Sequence, residues 1–268
     1  MNKNNLYLTD LMMLKKEIDE YLPARCNQIY QPENRKVLLK LTSKEKGKFF
    51  ILIEASPSKQ FISILKENNF KLPKIPHSFC TKMRIHLGNR FLESLSILGV
   101  DRILYLKFSH DHSIVVEFFD HGNLILVDHE WNIVSLFRSH KYDDKHLLQP
   151  KQIYPLDLIK LHPTIESNDN PYFQLGYIES KNFIFDDYLE NFNNFDENKK
   201  LREILISNNS PFVWIGKDFI LHILSILNLS PNKKISKLDS NWINLFFKEF
   251  VNNFYELESS LIPMKYQL

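Results

Sequence analysis

Apolar residues near the start of the chain recur at helical spacing. From Leu11 to Leu22 they return every three or four positions, which places them on one face of a helix. Thr9 precedes this run and is a residue type that caps helix N-termini. Pro23 follows the run and cannot continue a helix. The pattern therefore predicts a helix over residues 10–22.

After this helix the pattern changes to short runs of leucine, β-branched and aromatic residues separated by polar turns. Such runs are typical of strands, and the short turns between them favour antiparallel pairing. Several turns contain histidine beside aspartate or glycine, a composition that suits hairpin ends. The predicted strands span residues 37–41, 49–53, 61–65, 102–108, 113–119, 123–128 and 132–137.

A basic helix is predicted in the middle of this strand-rich region. A helix over residues 78–90, capped by its first residue, would place Lys82, His86 and Arg90 four residues apart on one face. Arg84 would point elsewhere. A row of cations at this pitch suits a phosphate backbone. The same row is also typical of an ordinary amphipathic helix whose charged side faces water.

The composition changes again after residue 155, where asparagine, aspartate and proline become frequent. Helical spacing returns in the last third of the chain. The sequence therefore predicts an α+β protein with a β-rich domain and flanking helices, followed by a small helical domain. The predicted helices of the last third span residues 199–207, 215–228 and 239–261. The predicted division is a β-rich domain over residues 1–160, a connecting region over 161–198 and a helical module over 199–268.

Composition excludes several classes of protein. Of the 268 residues, 44% are hydrophobic, which is enough for a real core. The two cysteines, Cys26 and Cys80, are too few for a disulfide framework or a cysteine zinc site, and they favour a reducing compartment. Cys80, near a helix N-terminus, could be an activated thiol or a small buried apolar residue. No run of 18 apolar residues and no signal peptide occurs, so we expect no membrane span.

Charge is distributed unevenly along the chain. Residues 1–100 contain 17 lysines and arginines against 9 acidic residues, a net charge of +8. Residues 101–268 contain 17 against 23, a net charge of −6. A basic N-terminal part attracts phosphates over about 10 Å at physiological salt. The same lysines could instead be solubilising surface, so charge alone does not decide between the two.

No motif for catalysis is present. The sequence contains no nucleophile elbow, no P-loop and no H-E-x-x-H zinc motif. Histidines and aspartates occur together in the turns, but there they fit turn chemistry better than a metal site. We therefore expect a binding protein without catalytic residues, metal or cofactor.

Four motifs in order resemble the N-terminal region of the NFACT family, whose members include the eukaryotic nuclear export mediator factor and bacterial proteins once described as fibronectin-binding. The resemblance extends over about the whole chain and is strongest from Pro76 to Pro155. Because four motifs occur in the right order, the combination is specific where each alone is weak. The motifs are residues 76–87 (PHSFCTKMRIHL), 99–103 (GVDRI), 122–128 (GNLILVD) and 153–156 (IYPL).

The resemblance implies a cytoplasmic protein of ribosome-associated quality control. Family members bind the large ribosomal subunit after a stalled ribosome has split, recognise tRNA there, and support untemplated C-terminal tailing of the stuck chain. Eukaryotic members also help the ubiquitin ligase listerin, through parts that lie beyond the region matched here. Full-length members continue into a coiled coil and later domains, so we expect this chain to be part of a longer protein. The implied partners are tRNA and the large ribosomal subunit, and not a membrane.

The resemblance also implies which residues face tRNA. The acidic residue of the family near its start matches Asp10, and the Asp-Arg pair matches Asp101 and Arg102. Arginine can give two parallel hydrogen bonds to a phosphate or a base edge, and aspartate can accept from an amine or a ribose hydroxyl. Alternatively, the pair could serve structure. With the basic helix, the complete predicted tRNA-binding set is Asp10, Lys82, Arg84, His86, Arg90, Asp101 and Arg102.

The family's first domain shares the fold of the formamidopyrimidine-DNA glycosylases, a β-sandwich followed by a helix-hairpin module. A glycosylase of that fold uses a proline amine directly after the first methionine and a neighbouring glutamate, whereas Asn2 and Lys3 stand there in this chain. Residues 210–229 resemble the helix-hairpin module, but residues 212–214 (FVW) replace its glycine-rich turn. A nucleic-acid-processing relative of the glycosylases and a protein-interaction scaffold remain the alternative functions.

Overall fold

The computed structural model describes residues 6–99, 102–159, 196–207, 210, 212, 215–239 and 241–259. The described residues fall into two compact units. The first unit takes its described residues from 1–6 and 13–160, and the second takes them from 7–12 and 161–268. The predicted connecting region, residues 161–198, lies outside the described residues except for its last three.

Helix α1 spans Leu8–Asp19, so it begins and ends earlier than predicted. Its cap is also different, because Thr9 lies inside the helix and donates a hydrogen bond from Oγ1 to the carbonyl of Ile215 at 3.1 Å. The backbone N–H of Tyr7 instead donates to Oδ2 of Asp10 at 2.8 Å. A carboxylate that reaches back in this way satisfies a free N–H at the helix start.

The first unit is built on one sheet of nine strands. Every neighbouring pair is antiparallel, and the order across the sheet is β4-β3-β2-β1-β5-β6-β7-β8-β9. A separate pair of short strands, β10 and β11, follows it. The strands are β1 (Ala24–Glu33), β2 (Lys36–Ser43), β3 (Gly47–Ala55), β4 (Gln60–Leu65), β5 (Phe91–Leu98), β6 (Ile103–Phe108), β7 (His112–Glu117), β8 (Asn123–Asp128), β9 (Ile133–Leu136), β10 (His140–Lys141) and β11 (Leu147–Leu148).

The seven predicted strands are confirmed, but two central strands, β1 and β5, were missed. Both contain an irregularity in register, between Cys26 and Gln28 in β1 and between Leu92 and Ser94 in β5. A bulge inserts one extra residue, so the alternation of apolar and polar side chains changes phase within the strand. That change of phase removes the period-two pattern from which strands are predicted.

The sheet has two halves with a narrow junction. Strands β1 and β5 pair through only two residue pairs, Ala24 with Leu92 and Arg25 with Phe91. The halves also meet away from this junction, where Gly122, in the β7–β8 turn, lies against the backbone of Ala55 at the end of β3. The predicted sandwich is therefore one continuous sheet whose two halves approach each other.

Helix α2 spans Ser78–Leu87 and packs against β1, β7 and β9. Its buried side chains are Phe79, Cys80, Met83 and Leu87. His77, not Ser78, occupies the cap position, and no side chain caps the helix there. The helix ends three residues before Arg90, because Gly88 leaves the helical conformation at φ −60° and ψ 130° and Asn89 takes a left-handed φ of 64°.

The described residues of the second unit form three further helices, α3 (Leu201–Leu205), α4 (Lys217–Ile226) and α5 (Trp242–Ser259). They confirm the three predicted helical segments, each within shorter bounds. Its core contains a cluster of aromatic rings, in which the ring of Phe212 lies 5.3 Å from that of Phe250 and 5.6 Å from that of Phe246. Phe212 is therefore part of the core.

Short 3-10 helices occur at Leu156–Leu158 in the first unit and Ile235–Lys237 in the second. Within the described part of the chain, no helix combines the length and the apolar composition needed to cross a lipid bilayer.

Candidate nucleic-acid interface

The exposed side of α2 carries fewer cations than its sequence predicts. Lys82 is exposed, and its Nζ lies 3.4 Å from the carbonyl oxygen of Val134 on β9. His86, four residues later, shares that side of the helix. Arg90 does not, because the helix ends at Leu87. The predicted row of three cations is therefore wrong for its last member, although Arg90 is exposed in its own position.

Arg84 points away from this side, as predicted, and toward the sheet. Its Nε donates a 2.7 Å hydrogen bond to the carbonyl of Ile29 on β1, and its guanidinium lies 5.8 Å from the ring centroid of Tyr30. The same carbonyl accepts from Sγ of Cys80 at 3.4 Å. Arg84 thus fixes α2 on β1, and one of its donors is already used within the protein.

His86 is held against a second histidine. The ring centroids of His86 and His112 are 4.1 Å apart, and their planes are inclined by 34°. Burial lowers the pKa of His112, and the neighbouring His86 and His129 lower it further, whereas the carboxylates of Asp128 and Asp111 oppose them. His112 therefore favours the neutral form, and the His86 ring packs on it instead of projecting freely into solvent.

Arg102 stands at the start of β6, in the turn that follows β5. Its φ is 61°, a left-handed conformation that costs a non-glycine residue about 1–2 kcal/mol. Its Nη1 donates to the carbonyl of Leu6 at 3.2 Å, and its own carbonyl accepts from the N–H of Phe118 at 3.0 Å. Arg102 is half-buried, and its hydrogen bond to Leu6 holds the N-terminal segment to the turn.

The two predicted acidic residues have different outcomes. Asp10 lies in the first turn of α1 and accepts from the backbone of Tyr7, as described above, so it contributes to the structure of the helix start. Asp101 lies outside the described residues. The structure therefore gives no geometry for the Asp101–Arg102 pair.

The predicted residues of the first unit do not form one cluster. Ile103, next to Arg102, pairs with Glu117 at one end of β7, whereas His86 packs on His112 at the other end. The two ends of this six-residue strand are about 17 Å apart. Arg102 and the α2 residues therefore lie near opposite ends of β7. A single ligand would have to be long to contact both.

Two exposed residues that the sequence did not single out lie beside Arg90. Arg25 and Phe91 are direct partners across β1 and β5, and both are exposed. Backbone hydrogen bonds fix Arg90 next to them, since its carbonyl accepts from the N–H of Cys26 at 2.7 Å. Only the β1–β5 pairing brings these residues together, and neither strand was predicted.

A buried carboxylate was also missed. Glu117 is 2% exposed, and its Oε1 accepts hydrogen bonds from the hydroxyls of Tyr142 at 2.6 Å and Tyr154 at 3.0 Å. Burial raises its pKa, although the two hydroxyls and the charge of Arg138 act in the opposite direction. The arrangement holds the segment after β9 to the sheet, which is a structural role.

Neither cysteine is activated. Burial raises the pKa of Cys26 to about 12 and also raises that of Cys80, despite the nearby guanidinium of Arg84. Of the two interpretations of Cys80, the structure therefore supports a small buried residue and not an activated thiol. Among the described residues, no three histidine, cysteine, aspartate or glutamate side chains are placed so that they could share a metal ion.

Residues 8–266 match the family described as the NFACT N-terminal and middle domains. The chain is 32% identical to the human ribosome quality control complex subunit NEMF over 163 residues, which is 58% of this chain and 14% of the human protein. It is 25% identical to the Rqc2 homolog RqcH of Bacillus subtilis over 177 residues, 61% of this chain and 31% of that protein. The matches thus span less than a third of these relatives.

Two solved structures have a similar fold. The N-terminal part of the fibronectin/fibrinogen-binding protein from Streptococcus suis aligns with a TM-score of 0.60 at 19% identity, over 90% of this chain and 83% of that one. The N-terminal domain of fibronectin-binding protein PavA from Streptococcus pneumoniae aligns with a TM-score of 0.56 at 19% identity, over 81% and 84%. At this identity the similarity concerns the fold.

Proposed function

The chain belongs to the NFACT family, and from this membership we propose that it is an RNA-binding part of a ribosome-associated quality-control factor. It would bind tRNA and the large ribosomal subunit on stalled nascent-chain complexes in the cytoplasm, and so support C-terminal tailing. The observation that carries the proposal is the family match over residues 8–266, together with relatives named as ribosome quality control subunits. Any contact with listerin would belong to parts outside this chain.

The surface of the first unit supports this proposal. Lys82 and Arg90 are exposed cations, and the first hundred residues carry the net positive charge that a phosphate backbone attracts. Arg102 follows Asp101 in the sequence, and the two residues match the family's Asp-Arg motif. We propose no bond-making step for the chain itself, since its role would be to position tRNA while the ribosome supplies the chemistry.

We also propose that the first unit is the counterpart of the glycosylase β-rich domain and that α3 to α5 form the helix-hairpin module. The order of a strand-rich unit before a helical one supports this assignment. The burial of Phe212 argues that its turn does not hold a phosphate in the way a glycine-rich turn does.

The experiment that tests the function is fluorescence anisotropy of labelled alanine tRNA at two salt concentrations. We expect binding that weakens as salt rises, and an Asp101→Ala/Arg102→Ala double variant that binds less tightly by about 1–3 kcal/mol. Because Arg102 also holds Leu6, each variant needs a melting curve. Binding that does not depend on salt, or that a folded double variant retains, would contradict the proposal for this site.

A further inference from the structure

One row of exposed side chains crosses four strands near the junction of the two half-sheets. Lys48 on β3 is the direct partner of Thr42 on β2, Thr42 is the partner of Arg25 on β1, and Arg25 is the partner of Phe91 on β5. Direct partners in an antiparallel sheet point to the same face. All four side chains are exposed, so they form one continuous outer row, here called the basic row.

The backbone around the basic row is fixed. The N–H of Asn89 donates to the carbonyl of Cys26 at 2.8 Å, and that of Phe91 donates to Oγ of Ser109 at 3.0 Å. The loop after α2 is therefore tied to β1, which places Arg90 directly beside Phe91. With a strand spacing of about 4.8 Å, the four residues extend over about 14 Å.

The cations of this surface are not neutralised within the described part of the chain. Arg25, Lys48 and Arg90 form no ion pair there, and the polar contact of the Arg25 side chain is a long one of 3.4 Å to Oδ1 of Asn89. Lys36, by contrast, is paired with both Glu33 and Glu54. A surface that keeps three charges unpaired is available to an anion.

The acidic residues around the row have cations beside them. Glu93, two residues after Phe91, lies 4.0 Å from Nζ of Lys107. Glu45 stands in the β2–β3 turn between Lys44 and Lys46, and Nζ of Lys46 lies 3.3 Å from the carboxylate of Glu20. The surface therefore keeps an excess of positive charge.

Phe91 indicates which kind of anion the basic row would bind. Phe91 is 47% exposed at the end of a row that contains Arg25 and Lys48, where a phenylalanine gains little from burial. Exposed aromatic rings beside guanidinium groups are the means by which proteins hold unpaired nucleotides, since every base can stack on a ring and every phosphate can accept from an arginine. A duplex offers its phosphates but not the faces of its bases.

We propose that the basic row, with Arg90, is a second RNA-binding surface that takes unpaired nucleotides, with a base on Phe91 and phosphates on Arg25, Arg90 and Lys48. It is separate from Arg102, because Phe91 begins β5 and Arg102 lies in the turn that follows the end of that strand, about 24 Å away along it. The assignment rests on the proposed function only in expecting RNA as the partner of this chain.

The test uses the whole chain and a short unstructured single-stranded RNA that carries 2-aminopurine, whose fluorescence is quenched when the base stacks. We expect salt-dependent binding with quenching. Phe91→Leu should reduce the affinity by roughly fivefold to a hundredfold and abolish the quenching, whereas Phe91→Tyr, which keeps the ring, should retain both. Arg25→Gln/Arg90→Gln should lower the slope of log affinity against log salt by about 0.7 for each phosphate that the variant no longer binds.

The matched control is Lys145→Gln, which removes an exposed cation from the β10–β11 turn and should change nothing. Melting curves confirm that each variant is folded. Wild-type protein that does not bind the oligonucleotide, or folded Phe91→Leu and Arg25→Gln/Arg90→Gln variants that bind it normally, would overturn the proposal. Weaker binding by the arginine variant with Phe91→Leu unchanged would also overturn it, because any polyanion would then bind equally well.

The same variants separate this surface from the proposed function. If tRNA binding is abolished only in Asp101→Ala/Arg102→Ala while the oligonucleotide binds the basic-row variants normally, the tRNA proposal stands and the second surface does not. If the oligonucleotide binds through Phe91 but tRNA does not bind, the surface stands and the proposed tRNA site fails for this chain.

Discussion

Gly122 lies so close to Ala55 that no side chain fits between them. A Cβ on Gly122 would be 2.8 Å from the carbonyl carbon of Ala55 and 2.9 Å from its oxygen. Gly122 also has a φ of 67°, which L-residues with a side chain rarely adopt. Ala55 ends β3 and Gly122 precedes β8, so this contact joins the two half-sheets at a point away from the β1–β5 pairing.

We therefore expect Gly122→Ala to destabilise the protein strongly. The left-handed backbone costs about 1–2 kcal/mol, and the contact with backbone atoms that cannot move away adds about 1–3 kcal/mol. Gly47→Ala is the matched control, since Gly47 has a φ of 71° and nothing within 4 Å of the added Cβ. Urea unfolding should show the larger decrease in stability for Gly122→Ala, and equal decreases would show that the half-sheets do not depend on this contact.

The buried carboxylate of Glu117 should make stability depend on pH. Because its pKa is raised in the folded protein, the folded state binds this proton more tightly than the unfolded chain does. The stabilising contribution is therefore fully present below the ordinary value of 4.5 and is lost as pH rises through the folded value. We expect the unfolding free energy of wild type, relative to Glu117→Gln, to increase as pH is lowered from 8 to 5.

Glu117→Gln is a suitable reference because both tyrosine hydroxyls donate to the same oxygen, Oε1, and glutamine keeps an acceptor there. The variant thus removes the ionisation and leaves the two hydrogen bonds. A difference between wild type and Glu117→Gln that stays constant over this pH range would mean that Glu117 titrates alike in both states.

The strands that could be predicted from the sequence are those in which the apolar pattern is continuous. Strands β6 to β8 are joined by short turns with His-Asp or Gly-Asn pairs. Nearly every side chain of β7 and β8 is buried in the core. Strand β1 is different, because its bulge at Asn27 shifts the alternation and Pro32 lies near its end. Local pattern cannot detect a strand whose apolar positions change face.

The residues of the candidate site could also be predicted only as far as local sequence pattern determines their positions. Lys82 and Arg84 could be assigned to different sides of α2 from helical spacing alone, and the structure agrees. The end of α2 could not, because Gly88 and Asn89 turn the chain toward β1, and Arg90 then lies beside Arg25, 65 residues earlier in the sequence. Residues that meet only through strand pairing cannot be found before the pairing is known.

Both cysteines should be unreactive in the folded protein. Cys26 and Cys80 are fully buried, and burial raises the pKa of each thiol, so little thiolate is present at pH 8. We expect a thiol reagent such as dithionitrobenzoate to react with neither residue in native protein and with both in urea. Rapid reaction of one thiol in protein that still melts cooperatively would contradict the burial of that residue.

The last prediction separates the two roles of Arg102. Arg102→Ala removes the hydrogen bond to Leu6 and keeps a side chain at a φ of 61°, whereas Arg102→Gly removes the same bond and relieves the backbone. We expect Arg102→Gly to be more stable than Arg102→Ala by about 1 kcal/mol, as judged by urea unfolding. If the guanidinium contacts tRNA, both variants should lose the same 1–3 kcal/mol of binding.

The two variants are expected to differ in stability. Their tRNA affinities therefore show whether binding follows stability or depends only on the lost guanidinium. A direct contact predicts equal tRNA affinities for Arg102→Ala and Arg102→Gly in spite of their unequal stabilities. An indirect effect, in which Arg102 only holds Leu6 and the turn in place, predicts affinities that follow stability, so that Arg102→Gly binds more tightly than Arg102→Ala. Anisotropy titrations of both variants, at a temperature where both are folded, distinguish these outcomes.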